Sequence, residues 1–248
     1  MADPLYAPLT IQDKDSAFRG ISSDVLHLIS LRTGLKFRLR EVADLSEMIS
    51  DVSKNEAAML AAITWSNERA QQLTLTRPYL FSSYVLIVAD KKGAPMAPRP
   101  DMTIAVATGN VIAEDLRLRY PGIDIVSMAN SSLALKMVDE GKADAALHNQ
   151  DRADFLIDRY FKGRLRIASQ LDDRPAEVSF GVSRRERELE SILNKSLADI
   201  PPRELAKIAI KWQGIPVDNI ETWRNYSRWH TLALTLSALM IAGGLSGR

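Results

Sequence analysis

The chain contains no cysteine, and this absence excludes several kinds of site together. Without thiols it can form no disulfide, no thiolate zinc site and no cysteine nucleophile. It also has only three histidines, His27, His148 and His230, and no two of them lie at the spacing of a metal-binding pair. The sequence therefore predicts neither a metal nor a cofactor, and it leaves the redox compartment open.

An excess of charge of one sign is also lacking. Lys and Arg number 32 and Asp and Glu number 31, which gives a formal net charge of +1. This balance provides no field that would attract nucleic acid, so none is predicted as a partner. The sequence has no G-x-S-x-G, P-loop, H-E-x-x-H or G-x-G-x-x-G motif. Those absences disfavour the common hydrolases, NTPases and dinucleotide enzymes, and no catalytic residue is predicted.

A long uncharged run lies near the C-terminus, where residues 229–247 contain no Asp, Glu, Lys or Arg. A helix of this length extends roughly 28 Å, close to the roughly 30 Å hydrocarbon core of a bilayer. The residues just before it include aromatic and basic side chains, as at a membrane interface: Trp223, Arg224, Tyr226, Arg228 and Trp229. We predict a transmembrane helix over 229–247 after a juxtamembrane linker over 215–228. A buried or interfacial helix is the alternative.

Hydrophobic periodicity predicts alternating helices and strands before that linker. Ile21, Val25, Leu28 and Ile29 recur at helical spacing, and Gly34 is placed to end the helix. Further helices are predicted after Asp44 and from Ser66, and short strands over 59–64, 84–90, 103–108, 123–126, 144–148 and 177–182. Strands that alternate with helices predict an α/β protein with a parallel sheet.

Four segments of the chain resemble a known family: 3–34, 63–88, 104–111 and 140–149. The most specific feature is Ser66-Asn67-Glu68-Arg69, a Ser/Thr-x-x-Arg that leads through a polar-apolar run to Thr76-Arg77-Pro78-Tyr79. On these residues the chain is identified as a member of family 3 of the extracellular solute-binding, or Venus-flytrap, proteins. It is also similar to the periplasmic domains of BvgS- and EvgS-type sensor histidine kinases.

The resemblance implies an α/β, two-lobed periplasmic-binding-protein fold of type II-like topology with two crossing hinge strands. Lobe 1 is then expected over 1–86 plus 178–214 and lobe 2 over 87–177, followed by the linker and the transmembrane helix. Family members begin with a strand before the Asp-Pro-x-Tyr segment, and this chain lacks it. We therefore expect the sequence to be part of a longer protein.

The resemblance places Arg69 as the clamp for a ligand carboxylate, because a guanidinium can hold a carboxylate through two parallel hydrogen bonds. The alternative is a surface arginine in the first turn of a helix, where a cation opposes the helix dipole. Thr64 and Ser66 are expected to supply hydroxyl or backbone contacts to the ligand, although Ser66 could serve only as a helix cap.

Two aromatic residues and one loop complete the expected cleft. Tyr6 matches a family aromatic that packs over the ligand, with core packing as its alternative. Trp65 stands where smaller aliphatic residues are usual and either fills the cleft or packs beneath it. On lobe 2, Asn110 and Val111 follow Gly109 before a helix, where backbone N–H groups could meet a carboxylate.

Asn149 is the largest departure from the family pattern. Amino-acid binders of the family carry an Asp there that pairs with the α-ammonium of the ligand, and a neutral amide supplies no full counter-charge. Asp151 could replace it after a register shift, but the direct alignment favours Asn149. A carboxylate without an ammonium, or a small amide, therefore fits better than an ordinary amino acid. His148, beside Asn149, is a candidate for the cleft wall.

Three functions follow from this likeness. The leading one is a sensor in which a ligand between the lobes changes their closure and the movement passes through the linker into the membrane. The second is the substrate-binding component of an amino-acid-type ABC transporter, which needs no span behind the domain. The third is an enzyme on the same fold, such as a dehydratase or a murein transglycosylase, for which Glu68 and Asp151 are the nearest acids.

The expected partners follow from the sensor hypothesis. They are a small carboxylate-bearing or amino-acid-like solute in the cleft and a lipid bilayer around the C-terminal helix. The expected location is the periplasm, with an anchor in the inner membrane. Homodimerisation is a further option for which the sequence defines no interface.

Overall fold

The computed structural model describes residues 6–12, 18–40, 42, 44–171 and 175–213. The strands within these ranges are β1 (Ile11–Gln12), β2 (Phe18–Arg19), β3 (Met59–Thr64), β4 (Thr74–Leu75), β5 (Leu80–Ser82), β6 (Tyr84–Ala89), β7 (Thr103–Ala107), β8 (Asp124–Met128), β9 (Ala145–Asn149), β10 (Leu165–Gln170) and β11 (Ala176–Val182). The helices are α1 (Ile21–Thr33), α2 (Leu45–Ser53), α3 (Asn67–Gln72), α4 (Ile112–Arg119), α5 (Ser131–Asp139), α6 (Gln150–Leu156), α7 (Arg187–Asp199) and α8 (Pro202–Gln213). A π-helical turn, Ile157–Phe161, follows α6.

The first sheet is built around β11, which pairs antiparallel with β3, β4 and β5. Successive side chains of β3 point to opposite faces, except where its pairing register with β11 shifts by one residue between Leu60 and Ile63. Met59 and Ala61 join the core beneath α1, α7 and α8, whereas Leu60 and Ile63 pack with α2 on the other face. The sheet is therefore covered by helices on both sides, and it forms lobe 1.

The second sheet has the order β10-β6-β9-β7-β8 and forms lobe 2. Strand β7 is parallel to β8 and β9, but β6 is antiparallel to both β9 and β10. The prediction of a parallel sheet is therefore wrong for part of lobe 2 and for the strand pairs of lobe 1. A helical crossover joins parallel strands, whereas β6 and β10 are continuous with the segments that link the lobes.

Two adjacent crossings connect the lobes. Strand β5 ends in the first sheet at Ser82 and β6 begins in the second at Tyr84, while β10 and β11 make the return crossing. The Gln170 amide donates to Ser83 Oγ at 2.7 Å, and the Leu171 N–H donates to the Tyr84 carbonyl at 2.8 Å. These bonds tie the two crossings together, and the predicted two-lobed α/β fold is confirmed. The exact lobe boundaries, 1–86 with 178–214 and 87–177, stay a prediction.

Local signals define the ends of several helices. Gly34 follows α1 with φ 75°, and its N–H donates to the Ser30 carbonyl, as expected of a left-handed C-terminal residue. Asp44 caps α2 by accepting a hydrogen bond from the Glu47 N–H, and Ser66 caps α3. The predicted start or end of each of these helices is confirmed, because each depends on residues within one turn.

The segment Tyr6–Thr10 is held against the beginning of α1. The Ile21 N–H donates to the Pro8 carbonyl and the Ser22 N–H to the Leu9 carbonyl, both at 3.0 Å. Gly20 has φ 114°, and a Cβ added there would lie 2.5 Å from the Leu9 oxygen. Only glycine permits this close approach of backbones, which sets the position of Tyr6.

Tyr79 links α1 to β3 inside lobe 1. Its hydroxyl accepts a hydrogen bond from Ser22 Oγ at 2.7 Å and donates to the Ala61 carbonyl at 2.9 Å. Its ring stacks on Phe180 with centroids 4.6 Å apart. Burial raises the pKa of Tyr79, so the hydroxyl stays protonated and able to donate.

We expect Tyr79→Phe to lower the free energy of unfolding by about 1.5 kcal/mol, because the Ala61 carbonyl and Ser22 would lose a buried partner. Urea unfolding of the two proteins measures the difference. Tyr160, whose side chain is 52% exposed, offers the control Tyr160→Phe, which we expect to change stability by less than about 0.5 kcal/mol. Equal stability of Tyr79→Phe and the parent would contradict the role of this hydroxyl.

In the described part of the chain, no helix combines the length and the apolar character needed to cross a membrane. The predicted transmembrane helix over 229–247 and the predicted linker over 215–228 both lie outside the described residues.

Candidate functional site

A cavity of about 180 Å³ lies between the two lobes. Lobe 1 contributes Thr64 and Arg69 to its wall, and lobe 2 contributes Ser131, His148 and Asn149. An apolar protein cavity of about 150 Å³ accommodates benzene, so this volume suits a small solute. The site is therefore of the size of an amino acid or a short organic acid.

Six of the eight predicted ligand residues line this cavity: Tyr6, Thr64, Arg69, Asn110, Val111 and Asn149. The other two do not. Ser66 uses its hydroxyl to accept a hydrogen bond from the Arg69 N–H at 3.2 Å, so it serves as the cap of α3. Trp65 follows the end of β3 and is 43% exposed, because side chains alternate along a strand and that of Thr64 points inward.

Arg69 is buried and joins the lobes directly. Its Nη1 donates to the Thr64 carbonyl at 2.8 Å, and its Nη2 donates to the Gly109 carbonyl of lobe 2 at 2.7 Å. Gly109 has φ 77°, a left-handed conformation that glycine adopts without strain. Burial lowers the pKa of Arg69 from its ordinary value, but a guanidinium remains charged at any physiological pH. The side chain is thus no surface arginine, and it presents a buried cation to the cavity.

Arg152 makes the reciprocal contact from lobe 2. Its Nη1 donates to the Ala7 carbonyl at 3.0 Å, and its guanidinium lies 4.9 Å from the centre of the Tyr6 ring. Its Nε donates to Ser131 Oγ at 2.9 Å. Sequence reasoning missed this residue. Its spacing was the available signal, because Arg152 lies three residues after Asn149, the cap residue before α6, and so on the same side of the helix start.

His148 supports the same wall from β9. Its Nδ1 accepts the Asn149 N–H at 2.8 Å, so the neutral ring carries its proton on Nε2 and donates it to Ser131 Oγ at 2.7 Å. Burial, reinforced by the positive charge of Arg152, lowers the pKa of His148 to about 3. The imidazole therefore stays neutral and acts as a fixed donor. This places His148 in the cleft wall, as one of the sequence candidates.

Asn110 and Val111 line the cavity in different ways. The Asn110 amide donates to the Leu147 carbonyl at 3.0 Å and its Oδ1 accepts the Ile112 N–H at 3.2 Å. The side chain thereby ties the start of α4 to β9. Val111 adds an apolar surface. Both polar atoms of the Asn110 side chain form hydrogen bonds within the protein, so its evident role is to position the start of α4.

Negative charge is scarce in the part of the cavity wall that the structure describes. Among the described residues of the wall, Asp44 is the only acid, and its Oδ1 caps α2 by accepting the Glu47 N–H at 2.9 Å. Asn149 lines the wall and is 7% exposed, whereas Asp151 is buried on α6 outside the lining. Asn149 is therefore the one of these two residues that lines the cavity, and its alignment with the family acid stays a prediction. In the part of the wall that the structure describes there are two arginines, Arg69 and Arg152, and the single acid is a helix cap.

Comparison with protein families identifies the chain. Residues 1–215 match the bacterial extracellular solute-binding proteins, family 3. The chain belongs to this family. As a family 3 solute-binding protein it is a binding domain and not an enzyme, which confirms the prediction made from its sequence.

Two curated relatives of this solute-binding protein are sensor proteins. It is 38% identical over 237 residues to the virulence sensor protein BvgS of Bordetella pertussis, which covers 95% of this chain and 19% of that protein. It is 26% identical over 245 residues to the sensor protein EvgS of Escherichia coli, covering 99% of this chain and 20% of that protein. The chain therefore spans about a fifth of the length of these relatives.

Solved structures confirm the likeness in three dimensions. The periplasmic VFT2 domain of B. pertussis BvgS has a TM-score of 0.82 and 38% identity, covering 85% of this chain and 91% of that one. A histidine kinase sensor domain with similarity to periplasmic binding proteins has a TM-score of 0.75 at 21% identity, covering 86% and 94%. The second match supports the fold alone, whereas the first supports a ligand-sensing domain as well.

Proposed function

We propose that the chain is a periplasmic ligand-sensing domain of a membrane-anchored sensor kinase, and that a small carboxylate-bearing solute binds between its lobes. One observation carries the proposal: a buried arginine of lobe 1, Arg69, lines the cavity between the lobes and also donates to lobe 2 at Gly109. A ligand carboxylate at Arg69 would alter the Arg69–Gly109 hydrogen bond, either by replacing it or by adding a second contact to the same guanidinium. Ligand binding is thereby coupled to the relative position of the lobes.

The likeness to BvgS and EvgS supports the signalling role. Both are named as sensor proteins, and the matched BvgS structure is a periplasmic domain. In our proposal the uncharged run over 229–247 anchors the domain in the inner membrane, and the segment 215–228 transmits lobe movement to it. The kinase activity would belong to other parts of the protein, and a homodimer would be one way to organise two such domains.

A transporter component is the second candidate. The lysine/arginine/ornithine-binding periplasmic protein of E. coli is 24% identical over 211 residues, covering 80% of this chain and 80% of that protein. The match over most of both chains is the observation that favours this candidate. The cavity disfavours lysine, arginine or ornithine as ligand, because Asn149 offers no negative charge to the α-ammonium group of an amino acid.

The test of the proposed function follows the melting temperature of the 248-residue chain against a panel of small carboxylates and amino acids. A compound that binds only the native state raises this temperature. We expect at least one carboxylate to do so, and Arg69→Ala to weaken its binding about thirty-fold, because the clamp contributes charge-assisted hydrogen bonds. Arg69→Lys keeps the charge without the planar fork and should recover only part of the affinity.

Arg77 supplies the matched control, since it is an exposed arginine of the same lobe. Arg77→Ala should bind the same carboxylate as the parent does. If no compound of the panel raises the melting temperature of the parent, the proposed sensing of a small carboxylate is wrong. If a compound binds the parent and Arg69→Ala equally, Arg69 is not the clamp.

A further inference from the structure

The hydroxyl of Ser131 has both of its lone pairs occupied. The Arg152 Nε donates to Ser131 Oγ at 2.9 Å, and the His148 Nε2 lies 2.7 Å from the same atom. Since the His148 Nδ1 accepts the Asn149 N–H, the Nε2 must be the protonated nitrogen and therefore donates as well. A serine oxygen accepts two hydrogen bonds and donates one, so only the donor of Ser131 remains for use.

That remaining donor belongs to a residue of the cavity wall. Ser131 is 3% exposed at the first position of α5, and it is part of the cavity wall. Among the hydrogen bonds of the described residues, none has the Ser131 hydroxyl as its donor. A buried polar group requires a partner, and a solute atom in the cavity is placed to provide it. That atom must be an acceptor, because an N–H group would meet the hydroxyl proton head on.

The charge near Ser131 specifies which acceptor is favoured. Arg152 places a buried guanidinium against the same oxygen, and His148 is a neutral donor. In the described wall of lobe 2, from Ala107 to Arg152, no acidic side chain is present. An oxyanion is therefore favoured at this position, whereas an ammonium would meet the positive charge of Arg152.

We propose that Ser131 and Arg152 form an oxyanion subsite on lobe 2, and that Ser131 selects a small diacid over an amino acid. One carboxylate of the solute binds at Arg69 and the second oxyanion accepts from Ser131. This inference rests on the proposed function, because it adds a second anchor to the same cleft. It names Ser131 as the residue that determines which group the solute carries at its far end.

Three four-carbon acids test the subsite by titration calorimetry on the 248-residue chain. Succinate carries a second carboxylate, 4-aminobutanoate carries an ammonium in its place, and butanoate carries neither. We expect succinate to bind at least about ten-fold more tightly than 4-aminobutanoate. Ser131→Ala should reduce succinate affinity about ten-fold and leave butanoate affinity unchanged, since one hydrogen bond to a charged group is lost. The ratio of the two affinities reports selectivity, which a purely structural defect would not alter.

Two further variants separate the loss of the Ser131 hydroxyl from a general folding defect. Ser132 is the next residue of α5 and lies outside the cavity wall, so Ser132→Ala should keep the parental ratio. Ser131→Thr retains a hydroxyl and should keep most of the preference for succinate. Equal binding of succinate and 4-aminobutanoate overturns the subsite, as does a parental ratio in Ser131→Ala.

The outcomes also separate this inference from the proposed function. If butanoate or 4-aminobutanoate binds in an Arg69-dependent manner while Ser131→Ala changes nothing, the sensing cleft stands and the subsite is wrong. If none of the three acids binds, the diacid subsite is overturned, and the wider panel with Arg69→Ala decides the proposed function by itself.

Discussion

Replacing Arg152 with alanine is expected to lower the free energy of unfolding by about 4 kcal/mol. The substitution removes the donor to the Ala7 carbonyl, the donor to Ser131 and the cation above the Tyr6 ring. Each buried acceptor left without a partner costs about 1–3 kcal/mol, and a desolvated cation–π contact contributes up to about 2 kcal/mol. Because two of these contacts cross between the lobes, the loss should also allow the cleft to open.

Urea unfolding measures the loss in the free energy of unfolding. Small-angle scattering measures the opening of the cleft, which should give Arg152→Ala a larger radius of gyration than the parent. Arg152→Lys should fall between the two, since an ammonium keeps the charge but cannot reach both lobes with a planar fork. Arg159 is exposed on the π-helical turn after α6, so Arg159→Ala should change stability by less than about 0.5 kcal/mol. A loss below about 1 kcal/mol for Arg152→Ala would show that the interlobe contact contributes little.

The second large effect is a dependence of stability on pH that originates at His148. The pKa of His148 is lowered to about 3 in the folded chain, whereas an unfolded histidine titrates near 6.5. Between these values the unfolded state binds a proton that the folded state does not, so stability falls as the pH falls. The slope is about 1.4 kcal/mol per pH unit, which amounts to about 2.7 kcal/mol between pH 8 and pH 4.5.

Comparison with His148→Gln isolates this contribution, because carboxylates also titrate in the same range. Glutamine can donate to Ser131 but takes up no proton, so the variant should lose about 2.7 kcal/mol less than the parent between pH 8 and pH 4.5. His27 is exposed on α1, and His27→Gln should follow the parental curve. If His148→Gln and the parent lose the same free energy of unfolding between pH 8 and pH 4.5, His148 takes up its proton in the folded chain as well. The assignment of a neutral imidazole that donates to Ser131 is then wrong.

Much of the local structure follows from signals within a few residues. The end of α1 at Gly34 and the caps at Asp44 and Ser66 were all predicted, because a cap depends on one side chain and the nearest N–H groups. The short strands β4 and β5, of two and three residues, were not predicted. They are too short to show a period of two, and only pairing with β11 makes them strands.

The sequence predicted part of the cavity wall, but it missed Ser131 and Arg152 of lobe 2. Resemblance to the family identified Arg69 and Asn149, and both line the cavity. Arg152 carries no family signature in the sequence, and Ser131 reads as an ordinary first residue of a helix. Their roles come from contacts with each other and with His148, which lie 17 to 21 residues apart along the chain.

The sequence by itself determined that the chain is an α/β solute-binding domain, since strand and helix patterns and the Ser66–Arg69 motif are local. On the family alignment it also predicted that Asn149 stands where amino-acid binders carry an acid. Only the tertiary structure decided that Arg69 meets Gly109, 40 residues away, and that Arg152 meets Ala7, 145 residues away. Such partners are chosen by how the two lobes pack together, and no periodicity or cap within one segment encodes a contact across that distance.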